Sequence, residues 1–205
     1  MNNKDRIVEV AFLLSLKYGF DNVSTKQIQD ASGISTGALY YHFKNKDDIL
    51  RHILNNYFLN NLVVFKMIIN NFEGTPIEKL KYLFYCNIGS CFEENISLKV
   101  LGVEVDYREY IMFLTGIYHQ HPEFRELFDL YNHRTIEFYK ELILDLFEKK
   151  ELRDDVSLDD MSIFIFTIMN GFINLWRTFP NSSIEKFVDV HTEIILDFLL
   201  KKDNC

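Results

Sequence analysis

Apolar residues along this chain recur three and four positions apart, the spacing of one face of an α-helix, almost from end to end. Near the N-terminus Ile7, Ala11, Leu14 and Tyr18 step by four, three and four, Val10 and Leu13 widen the stripe, and Gly19 is placed to end it. This predicts a first helix with one buried face. Ser24-Thr25-Lys26-Gln27 reads as a capping box, so a second helix starts there and stops at Gly33 after two turns. Ser35 then caps a third helix and Asn45 a fourth.

The fourth is long, from Lys46 to about Asn71, and ends near Gly74. Pro76 opens a fifth, running to about Phe92; a sixth lies around Val103 to Tyr118; Pro122 opens a seventh, to about Lys150. Ser157 to Asp160 caps an eighth that ends before Pro180, and Ser183 caps a ninth that runs to about Lys201. The pattern predicts an all-α chain of about nine helices. The eighth, greasy from Met161 to Phe179, is about as long as a membrane span, but Asn170, Asn174 and Arg177 interrupt it and Asp159-Asp160 precede it, which favours a buried or interface helix.

Composition changes this picture little. The chain has 205 residues, 48% of them hydrophobic, with only 3 Pro and 8 Gly, enough for a sizeable core and too little for disorder. The polar, then amphipathic N-terminus lacks the form of a secretory signal, so a cytoplasmic protein is expected. Cys86, Cys91 and Cys205 lack C-x-x-C spacing and read as reduced thiols, with no disulfide framework, zinc site or other cofactor expected. Charge is the more telling property. The net charge is −8, against a protein coated in basic surface. Residues 1 to 52 nevertheless hold 7 Lys+Arg and 6 Asp+Glu, a balance of +1, and the remainder is at −9, so any nucleic acid falls to the N-terminal quarter.

Two helices of about two turns, joined through Ser32-Gly33-Ile34, form a helix-turn-helix unit, whose second helix enters the major groove. At about 100° per residue, Leu39 and Phe43 face the core while Gly37, Ala38 and Tyr41 face out, with Thr36 and Tyr40 on one flank and His42 on the other. Small residues at 36 to 38 let the backbone approach base edges, and the helix N-terminus suits a phosphate. Tyr40, Tyr41 and His42 can donate to phosphate oxygens, and Lys26, Lys44 and Lys46 bracket that face. The plainer alternative is packing: it is accepted for Leu39 and Phe43, stays open for Tyr40 and His42, and is disfavoured for Tyr41.

Gly19-Phe20, Ser24-Thr25 with Ile28, and the run GISTGALYYHFKNKDDIL resemble the N-terminal domain of TetR-family transcriptional regulators. Gly33, Ile34, Ser35, Gly37, Leu39, Tyr40, His42, Phe43 and Lys46 each meet a fixed position of that family's pattern, over about the first quarter of the chain. The resemblance implies a homeodomain-like, three-helix DNA-binding domain at residues 1–45 and a helical effector-binding and dimerisation domain at 46–205. It implies a homodimer on a partly palindromic operator, repressing until a small molecule releases it. By residue, it implies DNA contacts from Ser24, Thr25, Lys26, Thr36, Gly37, Tyr40, Tyr41, His42 and Lys46, and the position of Ser35 and Ala38 at the start of the third helix adds them to the expected contacts. Gln29 and Ser32 stand where the family commonly has Ala, a departure expected to touch packing and leave the contacts undisturbed.

Beyond the motif the reading rests on residue pattern. On the ninth helix Ile184, Val188, His191, Ile195 and Phe198 form a seam, and the eighth offers Phe164, Ile168, Gly171 and Leu175; together they are the expected dimer interface, with burial inside one chain as the alternative. An effector pocket of apolar walls and few polar groups is expected from Phe84, Asn87 and Cys91, from Phe113 and Ile117, from Phe138 and Tyr139, and from Asn170, although each could equally be core. Two rival functions stay in view. No nucleophile elbow, H-E-x-x-H or phosphate loop supports an enzyme. A helical protein-interaction module with vestigial DNA binding is opposed by the intact Tyr40-Tyr41-His42 face.

Overall fold

The computed structural model describes residues 2–88, 99–148, 150–179 and 183–201. Among these are nine helices and a single two-stranded ribbon, an all-α protein. Three short helices come first: α1 Asn3–Tyr18, α2 Thr25–Ser32 and α3 Thr36–His42. Helix α4, residues 46–71, comprises Lys46–Leu54, a π-helical turn Asn55–Leu59 and Asn60–Asn71. Then follow α5 Pro76–Asn87, strands β1 Lys99–Val100 and β2 Val103–Glu104, α6 Tyr107–Gln120, α7 Arg125–Leu146 after a 3₁₀ turn Pro122–Phe124, α8 Leu158–Thr178 and α9 Ile184–Leu199.

Local chemistry sets most of these boundaries. Ser24, Ser35, Asn45, Thr75, Ser157 and Ser183 each accept a hydrogen bond from a backbone N–H in the first turn that follows. Ser24 with Gln27 and Thr75 with Glu78 close full capping boxes. Gly33 ends α2 in the left-handed conformation, φ 68°, where a Cβ would be strained.

The sixth helix departs from its expected start. It begins at Tyr107, capped by Asp106, and Val103 belongs to β2, paired with Val100 across a turn in which Leu101 and Gly102 both have positive φ. The fifth helix is described as far as Asn87; its expected end near Phe92 lies outside the described residues. Cys86 is disulfide-bonded, which corrects the expectation of reduced thiols; Cys91 and Cys205 lie outside the described residues. An odd cysteine count leaves room for one pair wherever the fold brings two together.

Compactness divides the chain into two units, residues 1–63 with 97–129 and residues 64–96 with 130–205. The expected boundary at residue 45 falls within the first of these units. In the first unit Phe12 is the centre of the core, stacked on Tyr57 at 4.3 Å and met edge-on by Tyr110 and Phe113. The Tyr110 hydroxyl donates to the Tyr57 carbonyl at 2.5 Å, within the π turn of α4. The second unit packs Leu83 and Phe84 of α5, Phe138 and Leu142 of α7, Ile165 and Phe172 of α8 and Ile195 of α9 into one core. Behind α7 the chain runs against the end of α9: the Leu152 and Leu200 backbones pair, and the Lys201 N–H donates to the Glu151 carbonyl at 2.9 Å.

Truncating Phe12 to Ala removes three ring contacts from a site with no exposure. The expected loss is about 3–5 kcal/mol of unfolding free energy, read from urea denaturation followed by circular dichroism.

Candidate nucleic-acid interface

Helix α3 has seven residues, Thr36–His42, and its phase about its own axis is fixed at its middle and just beyond its C-terminal end. Leu39 and, just past the helix, Phe43 are buried, with Phe43 edge-on to His52 of α4 at 5.4 Å. The opposite side is open. Tyr41 is 83% exposed and Tyr40 53%, and Thr36 and Gly37 are exposed as well. A Cβ built at Gly37 would meet nothing within 4 Å, so the approach to the backbone there is unobstructed. Ala38 and His42 are half-buried, with the His42 ring edge-on to Tyr41 at 5.0 Å. Gly37 and Tyr41 thus face out as helical phase predicts, whereas Ala38, expected with them, is half-buried and the flanking Thr36 and Tyr40 are exposed.

The remaining expected contacts lie at the starts of three helices. The Ser35 hydroxyl accepts from the Ala38 N–H at 3.3 Å and so anchors the first turn of α3. On α2, the Ser24 hydroxyl is occupied by the Gln27 backbone and side chain, Thr25 is half-buried and Lys26 is exposed. The Lys44 N–H donates to Asp48, which is itself capped by Asn45.

Lys46 points elsewhere: its ammonium donates to the Asp21 carbonyl at 3.2 Å and lies 4.3 Å from the Phe20 ring centre. Partial burial lowers its pKa, against the opposing pull of Asp21 and Asp47. Gln29 departs from the expectation that it touches packing alone. Its side-chain oxygen accepts a hydrogen bond from the Thr36 hydroxyl at 3.2 Å, tying α2 to the first residue of α3. Their separation of seven positions across a turn gives no periodic signal, which is why the pattern passed over it.

The expected effector residues fall into two groups. Phe113 and Ile117 are buried in the first unit, beside Phe12 in the case of Phe113. Phe84, Phe138 and Tyr139 are buried in the core of the second. The Asn87 amide donates to the Leu83 carbonyl at 2.8 Å and approaches the Met169 sulfur at 3.8 Å; the Asn170 amide donates to the Phe166 carbonyl from an exposed position. Cys91 lies outside the described residues. Near the junction of α8 and α9 an apolar crevice is lined by Phe172, Leu175, Trp176, Phe179, Ile184 and Phe187.

The seam expected between partners is partly internal. Val188 and Ile195 are buried within their own chain, packed into the second unit's core, because α9 is apolar on more than one side and the core claims this one. Phe164 stacks on Phe198 at 4.0 Å, and Ile168, Leu175 and Ile184 are half-buried against the same core. His191 is half-buried, its Nδ1 2.7 Å from the Phe187 carbonyl. Gly171 is exposed, with open space where a Cβ would stand. Sequence pattern missed three exposed apolar residues on these helices, Ile163, Val190 and Ile194.

Among the described residues Asp47, His121 and Glu123 bring potential metal-ligand atoms within 4.8 Å of one another. Both ring nitrogens of His121 already face carboxylates, Asp21 at 3.1 Å and Glu123 at 3.2 Å, so ligation would require the ring to give up one of these contacts.

Residues 7–53 match the family model described as bacterial regulatory proteins, tetR family. Over 55 residues the chain is 46% identical to the HTH-type transcriptional regulator QacR of Staphylococcus aureus, covering 27% of this chain and 29% of that one. Over 174 residues it is 25% identical to the uncharacterized HTH-type transcriptional regulator YerO of Bacillus subtilis, covering 84% and 55%. An HTH-type transcriptional repressor of Mycolicibacterium smegmatis is 30% identical over 83 residues, 40% of each chain. The aligned stretch is thus 29%, 55% and 40% of these relatives' lengths. Among solved structures, a TetR-family transcriptional regulator from Cytophaga hutchinsonii superposes with a TM-score of 0.73 at 16% identity, over 98% of this chain and 96% of that one. A transcriptional regulator from Saccharomonospora viridis, solved in complex with choline, gives 0.72 at 18% identity, over 97% and 98%. At such identities the likeness is one of fold. Residues 7–53 thus carry the helix-turn-helix of the tetR family, set in a fold that this chain shares with a solved TetR-family regulator.

Proposed function

We propose that the protein is a sequence-specific DNA-binding transcriptional regulator that acts in the cytoplasm as a homodimer, represses from an operator of two inverted half-sites, and is released by a small, largely apolar effector. The observation that carries the reading is the outer face of α3: an accessible backbone at Gly37 beside exposed Thr36, Tyr40 and Tyr41, on a helix whose opposite side is locked into the core. Ser24, Thr25, Lys26, Ser35, Ala38, His42 and Lys46 complete the proposed contact surface, with Lys46 turning from the Asp21 carbonyl to a phosphate when DNA is present. The name of the Mycolicibacterium smegmatis relative supports repression.

The dimer is proposed to form through the exposed sides of α8 and α9, with Ile163 and Gly171 on one helix and Val190 and Ile194 on the other. Small and apolar exposed positions let helices approach and bury greasy surface between two copies. Phe164, Ile168, Leu175, Ile184, His191 and Phe198, half-buried in one chain, would flank that contact.

For the effector, the aromatic crevice between α8 and α9 supports an apolar ligand, and the structural neighbour solved in complex with choline supports small-molecule binding in general. Within the second unit, Phe84, Asn87, Phe138, Tyr139 and Asn170 remain proposed contacts. Its action is proposed to run through α4, which starts at Lys46 next to the recognition helix: a ligand that binds one spacing of the two recognition helices more tightly than the other shifts the population towards it.

Tyr41→Ala is expected to weaken operator binding on the order of tenfold while leaving the dimer intact, measured by fluorescence anisotropy at fixed salt and by sedimentation; unchanged affinity removes Tyr41 from the surface. The wild-type affinity should fall steeply between about 50 and 200 mM salt, whereas a salt-independent association would favour a protein partner over DNA. Ile194→Lys is expected to give monomers in sedimentation with the far-ultraviolet circular dichroism spectrum unchanged, because the residue is exposed in the single chain, and with a melting temperature lowered by the loss of dimerisation.

A further inference from the structure

Gln29 lies in the last turn of α2, half-buried, and its Oε1 accepts the Thr36 hydroxyl at 3.2 Å. Thr36 is the first residue of α3 and is exposed, at the end of the helix that small neighbours leave open. The bond has two chemical consequences. It commits the only proton of the hydroxyl, so Thr36 Oγ1 meets an incoming group as an acceptor alone. It also holds the Gln29 amide beside the start of α3 with its Nε2 donors unspent among the described residues. The pair therefore presents a donor next to an acceptor, two groups from different helices held in one geometry.

We infer that Gln29 and Thr36 together read one adenine in the major groove of each half-site, a specificity that rests on the DNA-binding function proposed above. Adenine offers an acceptor at N7 beside a donor at N6. Gln29 Nε2 donates to N7 and Thr36 Oγ1 accepts from N6. Guanine offers two acceptors, N7 and O6, so the committed Thr36 oxygen would face O6 lone pair to lone pair. Thymine and cytosine each lack one member of the acceptor and donor pair. Without Gln29 the Thr36 hydroxyl rotates freely and donates as readily as it accepts, which would admit guanine at the same position.

The test compares wild type with Gln29→Ala, Thr36→Val and Thr36→Ser. Each is used to select sites from random duplex DNA at one salt concentration, and affinities are then measured for the selected site and its single-base variants. Wild type and Thr36→Ser should prefer adenine over guanine on the order of tenfold at one position per half-site. Gln29→Ala and Thr36→Val should lose that preference there and keep the others. If Gln29→Ala melts early, the Thr36→Val and Thr36→Ser pair decides by itself. Unchanged preferences in both loss variants overturn the assignment and leave the regulator standing; so does a uniform loss at every position, the mark of a packing role. A wild type that enriches no inverted repeat overturns the regulator, and the adenine contact with it.

Discussion

A seven-residue helix has no stability of its own in water; isolated helices of fewer than about 12 residues are marginal even with favourable sequences. Helix α3 exists because its neighbours hold it, and the constraint that does so is the burial of Leu39 and Phe43 at two points along its length. Two buried side chains four positions apart leave a short helix no freedom to rotate about its axis. Everything on its outer side is thereby aimed: Thr36, Gly37, Tyr40 and Tyr41 face solvent because Leu39 and Phe43 do not. The Ser35 cap, the Gly33 turn and the Gln29 bond to Thr36 fix the other degrees of freedom, the start of the helix and its angle to α2.

Charge acts at longer range on the same surface. The first 52 residues carry a balance of +1 and the remainder −9. On the proposed DNA-binding function, a duplex would be drawn to the helix-turn-helix by phosphate contacts and repelled by the rest, so the acidic remainder would limit non-specific coating of DNA and leave recognition to one face. The tyrosines suit this arrangement, since a phenol hydroxyl can donate to a phosphate without adding charge.

The helices after α4 follow a different logic. Helices α8 and α9 have more apolar surface than one partner can cover, and the second unit's core takes part of it: Val188, Ile195, Ile165 and Phe172 go inside. What remains, Ile163, Val190 and Ile194, stays exposed in the single chain. Helix α8 is long and apolar enough to cross a membrane by composition, yet five of its residues, Met161, Ser162, Ile165, Met169 and Phe172, are buried in the protein. Its apolar character is that of a helix with several protein neighbours.

The start and type of nearly every helix were legible in the sequence, because a cap is a short-range event: Ser24, Ser35, Asn45, Ser157 and Ser183 each bond a backbone N–H three residues on. The outward face of α3 was legible for the same reason, since seven residues at helical spacing leave little room for error in phase. The sequence left undecided whatever depends on contact between distant positions. Val103 reads as helical until Leu101 and Gly102 turn it back onto Val100. Val188 and Val190 are equally apolar, and only the packing of α9 puts the first inside and the second out. Lys46 belongs to a basic rim by spacing, while its ammonium rests on Phe20 and the Asp21 carbonyl, 26 and 25 positions back along the chain. Periodicity records how much of a helix must be buried, and tertiary structure alone decides against what, because that choice is made by residues that share no spacing.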